Sequence, residues 1–215
     1  MVLALNENSS VVNQYLTELR DIEIQKDRRL FETNVERIGV IAAYELSKQL
    51  NYKDVDTTTQ LGVAKTQVVA DELVICTVLR AGLPLQRGLQ TIFDKAAMAF
   101  VGAARKPETG NKVEIDLGYM ASPKLDGKIL VLADTMLATG SSLIDAYSAL
   151  TAKHGKPVKT IVVAVIASQD GVDFVEKHIP EVEIIAGAVD PELNDKFYIV
   201  PGLGDAGDLL YGSKI

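Results

Sequence analysis

The stretch Lys128–Ser142 constrains the fold of this chain more than any other segment. Its first part, Ile129–Ala133, is a short aliphatic run, typical of a strand buried on both faces of a parallel sheet. Asp134 follows directly, and then comes the small-residue segment Ala138–Ser142, in which Gly140 tolerates backbone angles that other residues resist. The sequence therefore predicts a strand, a turn and a helix start in succession, at the sheet edge where open α/β folds bind ligands.

The turn is followed by apolar residues at helical spacing, which are Leu143, Ala146, Tyr147 and Leu150. The start of such a helix has free N–H donors and the positive end of the helix dipole, so we expect the turn to bind an anion such as a phosphate monoester. A plainer alternative is that Thr139 and Ser141 or Ser142 only cap the helix. A Walker-type nucleotide loop is excluded, because no Gly-Lys-Ser/Thr sequence follows at the required spacing.

A second unit of the same kind precedes the first. The apolar run Glu72–Leu79 predicts a core strand, Arg80-Ala81-Gly82 predicts a turn, and Leu85–Phe93 has the spacing of a helix. Arg80 would then lie at the same edge of the sheet as Asp134, although a capped turn with a solvated arginine is an equal alternative from local sequence.

Strands and helices alternate through the rest of the chain, which predicts a parallel sheet with right-handed crossovers. The further strands expected are 96–101, 158–166 and 182–189, with a helix at 170–178. Residues 1–70 precede this unit and are predicted to form helices at 9–20 and 31–50 and a loop with a short hairpin. A length of 215 residues fits one medium domain.

Composition excludes several classes of function. A net charge of −7 without a run of Lys or Arg argues against binding of nucleic acid. Neither a membrane-spanning apolar run nor a signal peptide is found, so we expect a cytoplasmic protein. The single cysteine, Cys76, lies within an apolar run and is interpreted as a core residue.

The segment Phe197–Asp208 is rich in glycine and matches G-x-G-x-x-G through Gly202, Gly204 and Gly207. A dinucleotide fold is nevertheless excluded, because only eight residues follow Gly207, too few for a helix and a second strand. Glycines let backbone groups approach a flat ligand closely, and a small base could be recognised by its amide edges in this way.

The segment Asp134–Gly140 resembles the loop that binds phosphoribosyl diphosphate (PRPP) in type I phosphoribosyltransferases. Its Met-Leu-Ala-Thr-Gly form is similar to that of the uracil phosphoribosyltransferase family. The resemblance implies that Asp134 contacts the ribose hydroxyls and that the following loop holds the 5′-phosphate. The PRPP-binding residues implied here are Asp134, Thr135, Met136, Leu137, Ala138, Thr139, Gly140, Ser141 and Ser142.

Three other segments resemble functional parts of the same family. The turn at Arg80 is similar to its pyrophosphate-binding turn, and residues 102–123, with Arg105 and Tyr119, are similar to a mobile arm that closes over PRPP. Residues 190–215 are similar to the uracil-binding hood. Carried over, the backbone of Ile199, Gly204 and Ala206 would pair with uracil, and Asp205 would lie near the base nitrogen N1 and the ribose of PRPP.

The resemblance implies the type I phosphoribosyltransferase fold, with a central, mainly parallel sheet flanked by helices, an extended arm and a small C-terminal hood. It also implies transfer of the phosphoribosyl group of PRPP to uracil, giving UMP and diphosphate. Mg²⁺ would be bound mainly through the diphosphate and ribose hydroxyls, with no separate metal site on the protein. Arg80, Arg105 and Asp205 would be catalytic, Asp205 as a base or as a stabiliser of charge on the ring.

Some positions depart from the family pattern. Thr135 replaces a proline, Ser141 replaces a glycine, and Leu209 stands where a basic residue is expected. The alternatives to uracil transfer are a phosphoribosyltransferase for another nucleobase and a non-catalytic regulator that senses PRPP or nucleotides on the same fold. The N-terminal helices favour a homodimer or a higher homo-oligomer.

Overall fold

The computed structural model describes residues 1–105 and 115–213, and the side chains of residues 103–105 and 115–117 are outside the description. The described strands are β1 (Val2–Ala4), β2 (Tyr52–Thr59), β3 (Gly62–Val69), β4 (Leu73–Leu79), β5 (Ala97–Arg105), β6 (Ile115–Ala121), β7 (Ile129–Leu137), β8 (Lys159–Ser168), β9 (Glu183–Asp190), β10 (Glu192–Leu193) and β11 (Ile199–Val200). The described helices are α1 (Val11–Arg20), α2 (Arg28–Ser47), α3 (Leu83–Ile92), α4 (Ser141–His154), α5 (Gln169–His178) and α6 (Ala206–Tyr211).

Seven strands form the central sheet in the order β1-β9-β8-β7-β4-β5-β6. Neighbouring strands are parallel except at the edge, where β6 runs antiparallel to β5. The predicted mainly parallel sheet is therefore confirmed. The strands β4 and β7, which precede the two predicted turns, are direct neighbours, so both turns leave the same edge of the sheet.

Helices cover both faces of the sheet and divide the core into two layers. Alternate residues of one strand enter different layers: Val131 packs with α1, α2 and α3, whereas Leu130 and Leu132 pack with α4 and α5. All three side chains are fully buried. This two-sided burial explains why the β7 sequence is an uninterrupted apolar run instead of an alternating one.

Helix α2 starts three residues earlier than the sequence predicts. The carboxylate of Asp27 accepts hydrogen bonds from the backbone N–H groups of Arg29 and Leu30, at 3.0 and 3.1 Å, and so caps the helix at that point. Helices α2 and α3 then cross closely at Gly39 and Gly88, whose Cα atoms leave no room for a side chain. This crossing holds the helix that follows the Arg80 turn against the body of the protein.

The N-terminal region contains two features beyond the predicted helices. Strand β1 pairs in parallel with β9 at the sheet edge, although its three residues are too short to give a sequence signal. The predicted short hairpin is a full ribbon, in which β2 and β3 pair over eight residues each. Most of its side chains are exposed, including Leu61 and Val63. In the part of the chain that is described, no helix is long and apolar enough to cross a membrane.

Candidate active site

An open cleft of about 220 Å³ lies where the carboxyl ends of β4 and β7 meet the C-terminal segment. Its lining residues come from all three predicted ligand-binding segments and are Val78, Leu79, Arg80, Ala81, Asp134, Met136, Ala138, Ser142, Phe197, Tyr198, Gly204, Asp205, Ala206 and Gly207. Segments separated by more than a hundred residues in sequence thus face one space. Its mixed polar and apolar walls suit a ligand that carries both charge and a flat ring.

Strand β7 extends further than predicted, to Leu137 instead of Ala133. Thr135 is fully buried within this extension, and its hydroxyl donates a 2.6 Å hydrogen bond to the carbonyl of Ala81 in the Arg80 turn. Thr135 therefore faces away from the cleft and ties the two turns together. A proline could not make this contact, so the departure from the family pattern at this position has a structural role.

Asp134 lines the cleft from within β7 and is partly buried. One of its carboxylate oxygens, Oδ1, accepts a 3.4 Å hydrogen bond from the N–H of Met136, two residues along the chain. This contact fixes the carboxylate at the entrance of the loop that follows.

The loop Ala138–Gly140 joins β7 to α4 and, with residues on either side, encloses a second, small cavity of about 40 Å³. Gly140 is the N-cap residue of α4 and has a φ of +78°, which favours glycine. Within the described residues, no side chain accepts a hydrogen bond from the second or third N–H of this helix, so the alternative that Thr139 or the serines cap it at these positions is not observed. The Thr139 hydroxyl donates to the Ser141 hydroxyl at 3.2 Å. The same Thr139 oxygen accepts a 3.4 Å hydrogen bond from the N–H of Ser141, the first residue of α4.

Helix starts of this kind leave backbone donors available. Within residues 1–105 and 115–213, the N–H groups of Thr139, Gly140 and Ser142 donate to no protein acceptor. Together with the dipole of the fourteen-residue helix α4, these donors give the turn beside the Asp134 carboxylate the chemistry that an anion requires. Met136, Leu137 and Ala138 contribute backbone and apolar lining to the small cavity, whereas Ser141 lines neither cavity.

Arg80 is exposed and lines the cleft from the turn between β4 and α3. Its guanidinium carbon lies 5.7 Å from the centre of the Tyr211 ring, within the range of a cation–π interaction. Burial and the negative charge of Glu32 raise the pKa of Tyr211, so its hydroxyl stays protonated at neutral pH. The ring thus provides a neutral aromatic surface for a cation that faces the cleft.

The C-terminal hood, residues 190–213 in the structure, forms the third wall. It contains the small β10–β11 hairpin and then α6, a short helix that the sequence did not suggest. Asp205 caps α6: its Oδ1 accepts from the N–H groups of Gly207 and Asp208 at 2.8 and 3.1 Å. These two bonds orient the carboxylate, which also lines the cleft.

The predicted base-binding residues differ in their access to the cleft. Gly204, with a φ of +95°, and Ala206 line it, in agreement with an approachable backbone. Ile199 is 4% exposed and does not line it, and its carbonyl is packed against Gly202. Phe197 and Tyr198, two adjacent exposed aromatic residues that sequence reasoning missed, occupy the wall instead.

An ion pair that the sequence did not reveal fixes the hood. Arg20 donates to both carboxylate oxygens of Asp190, at 2.8 and 2.7 Å, and also to the carbonyl of Gly202 at 3.0 Å. The N–H of Gly202 donates to Asp190 at 2.9 Å. An aspartate directly after an apolar strand was the available signal, since Asp134 follows the same pattern, but its partner is distant in sequence.

The arm predicted at 102–123 is described only in part. Strands β5 and β6 form an antiparallel pair with an irregularity between Gly102 and Ala103, and Tyr119 is exposed on β6. Residues 106–114 and the side chain of Arg105 lie outside the described part of the chain. The roles predicted for this arm remain predictions.

Two carboxylates, Asp134 and Asp205, line the cleft. In the described residues, no group of three or more His, Cys, Asp or Glu side chains is placed to hold a metal ion. Such a donor set fits a divalent cation that arrives with a polyphosphate ligand and takes most of its oxygens from that ligand.

Comparisons with known proteins agree on one family. The model of the family described as uracil phosphoribosyltransferase matches residues 6–213. A uracil phosphoribosyltransferase of Porphyromonas gingivalis is 43% identical over 215 residues, covering 100% of this chain and 99% of that protein. A solved structure of a protein from Aquifex aeolicus is 32% identical, with a TM-score of 0.88 and full coverage of both chains.

A more distant structure shows the fold alone. A hypoxanthine phosphoribosyltransferase from Staphylococcus aureus is 14% identical and superposes with a TM-score of 0.50, covering 75% of this chain and 76% of that one. The mainly parallel sheet with flanking helices is thus of the type I phosphoribosyltransferase kind.

Proposed function

The chain belongs to the uracil phosphoribosyltransferase family, and we propose that the cleft between the Arg80 turn, the Asp134 loop and the hood is its catalytic site. The protein is a pentosyltransferase that transfers the 5-phosphoribosyl group of PRPP to uracil, giving UMP and diphosphate. The observation that carries the site assignment is the meeting of an anion-binding helix start, an exposed arginine and a capped aspartate around one cleft.

PRPP has three groups to be bound, and the cleft offers a counterpart for each. The N–H donors of Thr139, Gly140 and Ser142 would hold the 5′-phosphate at the start of α4. Asp134 would accept hydrogen bonds from the ribose hydroxyls. Arg80, exposed on the turn after β4, would bind the diphosphate through charge-assisted hydrogen bonds. The resemblance to the family implies that Arg105, at the end of β5, binds the same diphosphate, and we keep this role as a proposal.

Uracil would enter against the hood. The backbone of Gly204 and Ala206 lines the cleft and can pair with the amide edge of the pyrimidine. Ile199 is buried and does not line the cleft, so its contact with uracil stays a prediction that rests on the resemblance to the family. The aromatic side chains of Phe197 and Tyr198 lie on the same wall, which supports a position for the flat ring there.

The reaction breaks the bond from the anomeric carbon to the diphosphate oxygen and forms a bond from that carbon to N1 of uracil, which loses its proton. Catalysis of this kind depends on positioning and on stabilisation of charge, and it requires no protein nucleophile. Asp205, held by two backbone N–H groups, would either accept the N1 proton or stabilise positive charge on the ring. Both roles require the carboxylate to be held at the part of the cleft where the hood would meet the ribose of PRPP.

Mg²⁺ would supply charge neutralisation for the departing diphosphate. Asp134 is the residue placed to support such an ion, through the ribose hydroxyls. The remaining oxygens would come from PRPP itself, in keeping with the small number of carboxylates at the cleft.

We further propose that the 215-residue chain is one catalytic domain that works as a homodimer or higher oligomer in the cytoplasm. The support for an oligomer is the β2–β3 ribbon, whose side chains are largely exposed on both faces. An isolated two-stranded ribbon is marginally stable in water, so contact with a second copy would stabilise it.

The decisive experiment measures product formation from labelled uracil with PRPP and Mg²⁺, beside cytosine, hypoxanthine and orotate. We expect UMP from uracil and no product from the other bases. Product from another base would favour a different nucleobase specificity. Binding of PRPP without any product would instead favour the regulatory alternative, which a test of RNA binding at low salt would then examine.

A further inference from the structure

A buried serine on the neighbouring strand β8 holds the loop that follows β7 through a hydrogen bond. Ser168, the last residue of β8, is fully buried, and its hydroxyl donates a 2.6 Å hydrogen bond to the carbonyl of Ala138. The same oxygen accepts a 2.9 Å hydrogen bond from the N–H of Gly171 and caps helix α5. One hydroxyl therefore connects the phosphate-loop backbone to a helix on the far side of that loop.

This contact sets the direction of a backbone donor. The peptide between Ala138 and Thr139 is trans and planar, so its C=O and N–H groups point in opposite directions. The carbonyl points into the interior, toward Ser168. The Thr139 N–H therefore points out of the interior, and it makes no hydrogen bond to the described part of the protein.

Close packing of α5 reinforces the same arrangement. A Cβ atom added at Gly171 would lie 2.1 Å from the carbonyl oxygen of Ala138 and 2.8 Å from that of Leu137. A Cβ at Gly140 of the loop would likewise lie within 3.2 Å of atoms of α5, in Phe174, Val175 and Gly171. The loop thus rests directly on the first turns of α5, with no space for it to shift in that direction.

We propose that Ser168 is a positioning residue for binding of the 5′-phosphate, because its hydroxyl fixes the Ala138–Thr139 peptide with the Thr139 N–H directed at the phosphate. Ser168 itself does not touch the ligand. The inference rests on the proposed function, since it deepens the assignment of the Ala138–Ser142 loop to the phosphate.

The test compares wild type with Ser168→Ala, Ser168→Thr and the control Ser10→Ala. Ser10 caps α1, which has ten residues like α5, through a 3.2 Å hydrogen bond from Val12, so its loss removes a comparable cap at a site without loop contact. Calorimetry measures the affinity for ribose 5-phosphate and for PRPP, and steady-state kinetics gives the KM values for PRPP and uracil.

We expect Ser168→Ala to weaken ribose 5-phosphate binding by about three- to tenfold, as the loss of one oriented hydrogen bond implies. The KM for PRPP should rise by a similar factor, and the KM for uracil should change much less. Ser168→Thr, which retains the hydroxyl, should recover most of the affinity. Ser10→Ala should bind ribose 5-phosphate as wild type does.

Three results would overturn the inference: wild-type affinity in folded Ser168→Ala, an equal loss in Ser168→Thr, or an equal loss in Ser10→Ala. Wild-type protein that fails to bind ribose 5-phosphate would refute the phosphate assignment itself, which is a different outcome. If a Ser168 variant does not fold, an NMR titration of the wild-type protein still tests the inference. The Thr139 amide resonance should shift on titration with ribose 5-phosphate, and an unmoved resonance would refute its role as a donor.

Discussion

Arg20 and Asp190 form a two-point ion pair between the end of helix α1 and the end of strand β9, with N–O distances of 2.8 and 2.7 Å. The carboxylate is buried and also accepts from the N–H of Gly202, while the guanidinium donates to the carbonyl of the same glycine. The hood, where we propose that uracil binds, is thereby attached to the N-terminal helix. Helix α1, which lies outside the predicted ligand-binding segments, thus helps to position the backbone of the hood at Gly202.

We predict that Asp190→Ala lowers the free energy of unfolding by about 3 kcal/mol, because it leaves Arg20 partly buried without its counter-charge. The KM for uracil should also rise, since Gly202 loses an anchor. Urea-induced unfolding and steady-state kinetics measure the two effects. As a control, Asp56→Ala breaks the exposed pair with Lys65 on the hairpin and should change stability little. Equal losses in the two variants would contradict the prediction.

Asp205 caps α6, and we propose that it also acts in the reaction; two substitutions separate the two roles. Asparagine can still cap α6, whereas alanine cannot. We predict that Asp205→Asn keeps the stability and the PRPP affinity close to wild type but lowers kcat by about 100-fold or more, because the negative charge is lost. Asp205→Ala should in addition lose about 1 kcal/mol of stability through the missing cap. Wild-type turnover in the asparagine variant would remove Asp205 from the mechanism.

Arg80 and Tyr211 should act together on the diphosphate. Arg80→Ala is expected to weaken PRPP binding by about 10- to 100-fold, the effect of one lost charge-assisted contact. Tyr211→Leu removes the ring beneath the guanidinium and should weaken binding only a few-fold, whereas Tyr211→Phe retains the ring and most of the affinity. Calorimetry with PRPP gives these affinities. Unchanged affinity in Arg80→Ala would refute the diphosphate assignment.

The crossing of α2 and α3 depends on Gly88. A Cβ at this position would lie 2.1 Å from the carbonyl oxygen of Glu36, so the two helices would have to separate. We predict that Gly88→Ala destabilises the protein by about 2 kcal/mol or more, as measured by thermal unfolding. Gly118→Ala on strand β6 is the control for a substitution without a clash, because a Cβ there meets no atom of the described residues within 4 Å. A similar loss of stability in Gly118→Ala would contradict the explanation of the Gly88→Ala effect by helix packing.

Cys76 gives a prediction for the pH dependence of stability. Burial raises the pKa of its thiol to about 12, whereas an exposed thiol in the unfolded chain titrates near about 8.5. Below the pKa that the thiol has in the unfolded chain, the thiol is protonated in both states and the stability of the fold is unaffected by its titration. Above that pKa the free energy of unfolding falls as the pH rises, because only the unfolded state then releases the proton. The loss is about 1.4 kcal/mol per pH unit above about 8.5.

Urea unfolding at several pH values checks this dependence, with Cys76→Ala as the comparison. Wild type should lose stability more steeply than the variant above about pH 9. Iodoacetamide should modify Cys76 in the unfolded protein and leave it intact in the folded protein. Parallel pH profiles of wild type and variant would contradict the assignment of this thiol to the core.

Local sequence was sufficient for the elements whose signal is contained in a short stretch. The apolar runs of β4 and β7 and the glycine at the start of α4 predicted two strand–turn–helix units, because two-sided burial and a positive φ each select few residue types. The same reasoning placed Arg80 and Asp134 at one edge of the sheet, whereas the place of Asp205 was implied only by the resemblance to the family. All three line the cleft. The hood helix α6 was missed, because six residues are too few for a periodic pattern.

The tertiary structure decided which side chains support these segments. Ser168 and the Ala138 carbonyl are thirty residues apart in the chain, and Arg20 and Asp190 are separated by 170. No periodicity or local motif links such residues, because their contact arises only when strands and helices pack in a particular order. The sequence by itself therefore determined the chemistry of the site, through motifs that each fold locally. Only the packed sheet determined how that chemistry is oriented, because orientation depends on contacts between distant parts of the chain.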